Sequence, residues 1–527
     1  MAPATDNPAS GRRRREGARR TVAGSPPRDG RGGRGGAVRQ APWAQPELIY
    51  DPVRLLSDDQ VEDIHQASLQ VLARTGLEVQ DSEAVGLLRA EGCTVDPANN
   101  RVRFDPAFIE SKLALAPKSF TFRARDPAKS LHIGGRSIVF SPVGGPAFLS
   151  TLDKGRHPGS IAEVGDFVRL VQSLNAIHTA AYGCVPMVLP AESRHLDIML
   201  ALTTLSDKAI GCTALGRTRV MDEIAMMRIL HGEDEAAFAR SPSLSGIINT
   251  NSPLKLDGEM AQGLLTLARA GQVVIATPFT LAGAMSPVTL AGALVQQNAE
   301  ALAMIALAQT ARAGAPVIYG AFTSNVDMRS GAPAFGTPVN VRAAFATGQV
   351  VRRYGLPYRS HVATVSCAVD AQAAYESQMS LWGSVMGGAN VIMPTAGWLE
   401  SGLTTSFEKL IVDAESAQLV AGLMQPIATD TDSLAVAAID EVGPGGHFFG
   451  VGHTIERYET AFYSPMLSDW RNFESWQEAG SEDAAKRANA IWHSLLAAYE
   501  PPALDDGIRD GLSDYVARRK RDLANPI

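Results

Sequence analysis

The residues of this chain that could do chemistry are amides, hydroxyls and aromatics more than acids and bases. Asn249, Thr250 and Asn251 follow one short apolar run, and Tyr319, Gly320, Phe322, Thr323 and Asn325 end or follow another. Tyr358, Arg359, His361, Ser366 and Cys367 belong to a third, and Pro394, Trp398 and Glu400 to a fourth. Such a set can hold and orient a substrate, but it offers few groups for proton transfer. The sequence has no HxH, HExxH or carboxylate cluster for a hydrolytic metal. No lysine in the set suggests a Schiff base. Glu400 stands alone where a glycosidase would need two carboxylates. Two further motifs carry polar groups. "DAQAAYES" (370–377) offers Gln372 and Tyr375, with Asp370 as a helix N-cap, and the glycine-rich "GPGGHFFGVGHT" (443–454) offers His447 and His453. That loop could close over the mouth of a site. Each residue also has a plainer reading: Tyr319 and Phe322 as core filling, His361 as a satisfied core histidine, Cys367 as a small hydrophobe.

The elements that must position these residues recur regularly. Apolar strand candidates lie at 137–141, 178–184, 208–213, 245–250, 273–276, 316–320, 358–364 and 390–393. Their starts are 28 to 43 residues apart, room for one strand, one helix and two loops each. Helical stretches fall between them, among them 217–231, 288–312 and 369–386, and a last helix at 406–424. Ser286 and Pro287 read as the N-cap and first residue of the 288–312 helix. Eight such units predict an α/β fold, a (β/α)8 TIM barrel, over 137–424, with the site at the C-terminal ends of the strands. An open doubly wound sheet is the alternative, but no GxGxxG turn follows the first strand. Residues 46–136 predict an entry region of helices and small strands, with Ser57 capping a helix that stops at Gly76. Residues 425–527 predict a helical extension.

Composition bounds the rest. The chain has 527 residues, 45% of them apolar and 20% charged, as in an ordinary globular protein. Residues 1–40 hold ten arginines against three acids, so the net charge of −7 leaves the remainder at about −14. An acidic body does not suggest a nucleic-acid binder. Residues 1–45 read as a disordered, solvated Arg/Gly-rich tail, with an RNA- or acid-binding arm as the alternative. Cys93, Cys184, Cys212 and Cys367 are widely separated, which argues against a structural zinc site and fits a reducing, cytoplasmic setting. No uninterrupted apolar stretch predicts a membrane helix, and no export signal follows the arginines.

Several long segments resemble the trimethylamine methyltransferase (MttB-type) family. They are "GAMSPVTLAGALVQQNAEALA" (283–303), "DAQAAYES", "SGLTTSFEKLIVDAE" (401–415), "GPGGHFFGVGHT", and a closing pattern with Trp476, Gly480 and Trp492. The resemblance covers roughly 46–520. It implies a TIM barrel that moves a methyl group from an amine to the cobalt of a separate corrinoid protein. The founding enzymes carry pyrrolysine. Here that position falls near Cys367, so the chain resembles the non-pyrrolysine branch that includes glycine betaine methyltransferase.

The substrate so implied is a quaternary amine, glycine betaine or a related betaine. Its ammonium is already charged and its leaving group is a neutral tertiary amine, so positioning and desolvation suffice and no general base is needed. Aromatic faces hold such a cation. Tyr319, Phe322, Tyr358 and Trp398 are the candidates, and Arg359 and His361 suit a carboxylate. Asn249, Asn251, Gln372, Tyr375, Glu400 and His447 complete the expected binding set. His361, Cys367 and His453 are the expected catalytic positions. The corrinoid is expected as a partner-borne co-substrate, with no tightly bound metal in this chain, and the chain is expected to form a homo-oligomer. Competing readings are a regulatory barrel that binds the amine without turnover, and an enzyme with a different acceptor such as a folate.

Overall fold

The structure is a computed structural model and describes residues 38–524. Eight parallel strands alternate in sequence with eight helices. The strands are β1 (Val139–Pro142), β2 (Thr179–Ala180), β3 (Ala209–Cys212), β4 (Leu244–Thr250), β5 (Val273–Ala282), β6 (Val317–Gly320), β7 (Tyr358–Ser360) and β8 (Val391–Ala396). The helices that follow them are α1 (Ile161–Ser173), α2 (Arg194–Leu205), α3 (Gly216–His231), α4 (Gly258–Arg269), α5 (Leu290–Ala311), α6 (Pro338–Tyr354), α7 (Ala371–Met386) and α8 (Phe407–Leu423). Each strand pairs with its neighbours in order, and β8 returns to β1 through Val391–Val139 and Ile392–Phe140. The β1–β2 seam carries one backbone bond from His178 N to Phe140 O (2.8 Å) and one from Gly183 N to Val143 O (3.2 Å). The expected (β/α)8 barrel is therefore present and nearly closed.

The barrel interior is filled only in its lower half. Val139, Ala209, Val273, Ile275, Ile318 and Val391 pack there against Phe122, Leu131 and Ile133. The latter three come from a hairpin, Phe120–Phe122 with Leu131–Ile133, that plugs the N-terminal end. A second core lies between the sheet and its helices. α5 is long and apolar enough to cross a membrane by length and composition, but 78% of its most apolar window is buried inside this fold. Its polar groups face protein partners: Asn298 binds Tyr319 and Tyr354, and Glu300 binds Leu254 N. It is a core helix of the barrel.

Local chemistry sets the boundaries. Ser57 and Gln60 form a reciprocal capping box on the helix Asp58–Arg74. Thr75 closes that helix, and Gly76 follows at φ +76°, where a Cβ would lie 2.2 Å from Val102 O. Asp370 caps α7 as expected. The expected cap of α5 is corrected: Thr289 caps it, and Ser286 instead bridges back to Ala282. Pro287 folds against the first turn at Gly292, so the helix begins at Leu290.

The C-terminal extension docks by two helices. Ala484–Ala497 lies on α8, and Trp492 donates to Glu408 at 3.0 Å. Asp506–Ala524 lies on α2 and α3, where Tyr515, Arg519 and His195 converge on Asp222. The first 37 residues of the Arg-rich tail lie outside the described residues.

Candidate active site

A cavity of about 420 Å³ opens at the C-terminal ends of the strands. It is walled by Pro142–Gly145 after β1, Tyr182 after β2, Gly211–Thr213 at β3, Ser245, Ile247 and Asn249 of β4, and Thr277 and Phe279 of β5. Phe322, Arg359, Met393, Pro394 and Trp398 close the other side. Among the residues that line it, Arg359 alone carries a formal charge.

Arg359 reaches the cavity because the β7 side chains alternate. Tyr358 points outward and bonds Ala344 O (3.2 Å), so Arg359 points inward. Its guanidinium is fully buried. It donates to Met393 O and, at 3.4 Å, to Ala321 O, while Nε has no partner. No carboxylate pairs with it among the described residues. Burial alone lowers its affinity for its proton to a pKa of about 9, so it stays cationic at neutral pH.

Phe322 is the centre of an aromatic nest. Its ring centroid lies 5.1 Å from Phe279, 5.7 Å from Trp398 and 5.4 Å from the Arg359 guanidinium carbon. His361 stacks behind it at 3.7 Å, its ring nearly parallel, and Phe335 meets it edge-on. His361 itself does not line the cavity. Burial, then the neighbouring Arg359 charge, hold its pKa near 3, so the ring is neutral. Asn340 donates to its Nε2 at 3.0 Å, fixing the ring and through it Phe322. On the opposite wall the Tyr182 ring packs against Gly144, where an added Cβ would lie 3.2 Å from the ring.

The structure thus brings together Asn249, Phe322, Arg359 and Trp398 of the expected set, with His361 directly behind. The others lie apart from the cavity. Tyr319 points outward to Asn298 and Gln297, locked between sheet and helices. Asn251 is exposed on the loop after β4. Cys367 is exposed on the loop after β7, its sulfur 4.0 Å from Val365 O. Gln372 binds Glu376, and Tyr375 faces solvent on α7. Glu400 forms a bidentate pair with Arg156 at 2.7 and 3.2 Å. His447 and His453 sit in the segment 425–470, which is anchored through Glu415 and Gln418 on the half of α8 remote from the strand ends. Neither lines the cavity.

Sequence reasoning missed Tyr182, Cys212, Thr213 and Phe279. Tyr182 and Phe279 were obscured by strand ends. β2 stops at Ala180, which frees Tyr182, while β5 runs on to Ala282, which carries Phe279 into the wall. Among the described residues, no group of three or more His, Cys, Asp and Glu is placed to hold a metal ion.

The family model described as Trimethylamine methyltransferase (MTTB) matches residues 25–524. The chain belongs to the trimethylamine methyltransferase family. Among its relatives in this family, Glycine betaine methyltransferase of Desulfitobacterium hafniense (strain Y51) is 37% identical over 471 residues, covering 89% of this chain and 98% of the relative. Trimethylamine methyltransferase MttB2 of Methanosarcina mazei is 29% identical over 483 residues, covering 89% and 95%. The Methanosarcina barkeri monomethylamine methyltransferase crystal structure aligns over 89% of both chains at 11% identity and a TM-score of 0.47.

Proposed function

We propose that this methyltransferase takes its methyl group from a betaine, a quaternary ammonium that also carries a carboxylate, and passes it to the cobalt of a corrinoid protein. The observation that carries the substrate is Arg359: a buried cation on the cavity wall, without a carboxylate partner among the described residues, beside a nest of aromatic faces. A carboxylate there gains charge-assisted hydrogen bonds and relieves the unpartnered Nε. The trimethylammonium end then lies over ring faces, which attract a cation without needing a donor hydrogen. A purely cationic amine would gain the rings but meet repulsion from Arg359. The 37% identity to a glycine betaine methyltransferase supports the same reading.

The chain's part in the reaction is to bind, orient and exclude water. The cobalt(I) acceptor supplies the electron pair that takes the methyl, and the C–N pair stays on nitrogen, which leaves as a neutral tertiary amine. No proton moves in the transfer, in keeping with a lining whose one charged side chain is Arg359. The acceptor has a place to come from. Met187 and Val188 after β2, Val288 after β5 and Met328 after β6 expose large apolar side chains on loops at this end of the barrel. They suit the apolar rim of a docking corrinoid protein.

The cytoplasm is the setting we propose, on the four free cysteines. We also propose that the chain is a homo-oligomer. Segment 427–473 has short helices and exposes Ile427, Phe449, Phe462 and Trp470 at 71–91%. So much apolar surface with so little core of its own needs permanent cover, which a second copy supplies and a transient partner does not.

Thermal stabilisation by a ligand panel tests the substrate. Glycine betaine at 100 times its dissociation constant should add about 2.7 kcal/mol. Trimethylamine and choline should add much less. A shift with trimethylamine but none with any betaine would refute the reading.

A further inference from the structure

Opposite Arg359, the cavity is backed by a buried acid. Glu223 lies on α3, one residue layer behind the β3 wall, and is fully buried. Its Oε1 accepts from Thr213 N (3.2 Å) and Thr213 Oγ1 (2.8 Å). Its Oε2 is buried with no N–H or O–H partner, the Cys212 thiol is the remaining donor beside the carboxyl, and no lysine or arginine pairs with it among the described residues. Thr213 and its neighbour Cys212 are themselves cavity wall. β3 and β7 are four strands apart in an eight-stranded ring, so Glu223 and Arg359 act from opposite sides.

From this geometry we infer that Glu223 is the counter-charge for the ammonium end of the substrate, acting through the Thr213–Cys212 wall as a positioning and specificity residue. The inference rests on the betaine reading above. It adds a direction: the carboxylate lies on Arg359 at β7, and the trimethylammonium, over the Phe322 and Trp398 faces, is turned toward β3 and Tyr182. The site is then a pair of oppositely charged walls matched to a zwitterion. Neither an amine without a carboxylate nor a carboxylate without an ammonium uses both.

The chemistry of Glu223 makes this measurable. Burial pushes its pKa up to about 7, so before binding a large share of it is protonated near neutral pH. A cation arriving at the wall favours the charged carboxylate, so binding should expel that proton. The other titratable groups around it are accounted for. Burial first, then the Glu223 charge, hold the Cys212 thiol and the Tyr182 hydroxyl far above their usual ranges, so neither ionises here. His195 on α2 is held by Asp222, which also takes Tyr515 and Arg519 from the C-terminal helix, and on α4 Glu259 pairs with Arg219.

The test is calorimetry of glycine betaine binding to the full chain at pH 6.5, in phosphate and in Tris. The two buffers differ in ionisation enthalpy, so any proton released appears as a difference in observed heat. Wild type should release a substantial fraction of one proton, and its affinity should tighten from pH 5.5 to 8 and then level off. Glu223→Gln keeps the Thr213 contact shape. It should abolish both effects and weaken binding about 10- to 50-fold, the scale of a unit charge ~7 Å away at an effective dielectric constant of about 20. A wild-type affinity that is flat with pH, or a Glu223→Gln variant that binds within two-fold and still releases the proton, overturns this inference and leaves the betaine reading standing. The wild-type pH series decides even if the variant does not fold. Failure of betaine to bind at any pH overturns both.

Discussion

Replacing Arg359 by Met keeps most of the side-chain volume and removes the charge from the cavity wall. A carboxylate held by a buried guanidinium through charge-assisted hydrogen bonds is worth about 3 kcal/mol at the upper end of the usual range. At 1.4 kcal/mol per tenfold, its loss should weaken glycine betaine binding about 150-fold. Choline should respond with the opposite sign. The guanidinium carbon sits 5.4 Å from the Phe322 centroid, so an ammonium on that ring lies roughly 6–7 Å from the charge. At an effective dielectric constant of about 20 the repulsion is about 2.5 kcal/mol, and its removal should tighten choline about 70-fold. The two shifts together invert the ligand preference. Isothermal calorimetry of both ligands on both proteins measures it, with circular dichroism as the check on folding. Arg359→Lys should retain part of the betaine affinity, since it keeps the charge but loses the forked donor geometry. If both ligands weaken by similar factors, the substitution has only damaged the pocket. If betaine changes by less than three-fold, Arg359 does not hold its carboxylate.

Trp398→Leu removes one ring of the nest at its rim. It should raise the dissociation constant for betaine about 2- to 30-fold, from a cation–π contribution of about 0.5–2 kcal/mol, with the fold intact by calorimetric Tm. Cys367→Ser should change methyl-transfer rate by less than two-fold, because the exposed thiol lies away from the cavity. Acid should destabilise the fold through its buried neutral histidines. Burial first, then nearby positive charge, hold His178 and His361 at about 3 and His231 at about 4, whereas unfolded histidine takes a proton below about 6.5. The unfolded state therefore binds more protons between about pH 6.5 and 4, and stability falls as pH falls through that window, by up to ~1.4 kcal/mol per pH unit for each ring. Urea unfolding across pH should show a shallower fall for His361→Gln, by about one ring's worth.

The barrel was legible because each strand is a short apolar run between helix-length amphipathic stretches, and a parallel strand buried on both faces must be such a run. The same property hid which face is which. In β6 and β7, Ile318 and Arg359 point inward while Tyr319 and Tyr358 point outward, and nothing in two-sided apolar strands marks that parity. So two of four expected aromatics proved to be packing between sheet and helices. Strand ends were the second blind spot, moving Tyr182 out of a strand and Phe279 into one. Glu223 lay in "VMDEIAMM", where an acid on a helix reads as a solvated residue, and only the packing of α3 behind Thr213 shows it buried. His447 and His453 depended on the path of the chain after α8, which local sequence does not specify.

The proposed reaction is transfer of a methyl from a betaine bound in this cavity to a corrinoid. Its most direct test is to incubate the protein with glycine betaine deuterated in all three methyl groups and a chemically reduced cobalt(I) corrinoid, with and without a corrinoid protein. Mass spectrometry follows the amine product while absorbance follows the cobalt. The account predicts dimethylglycine with two labelled methyl groups, formed in step with a methylated corrinoid and lost with Arg359→Met. Tight binding of betaine with no dimethylglycine under any acceptor would contradict it.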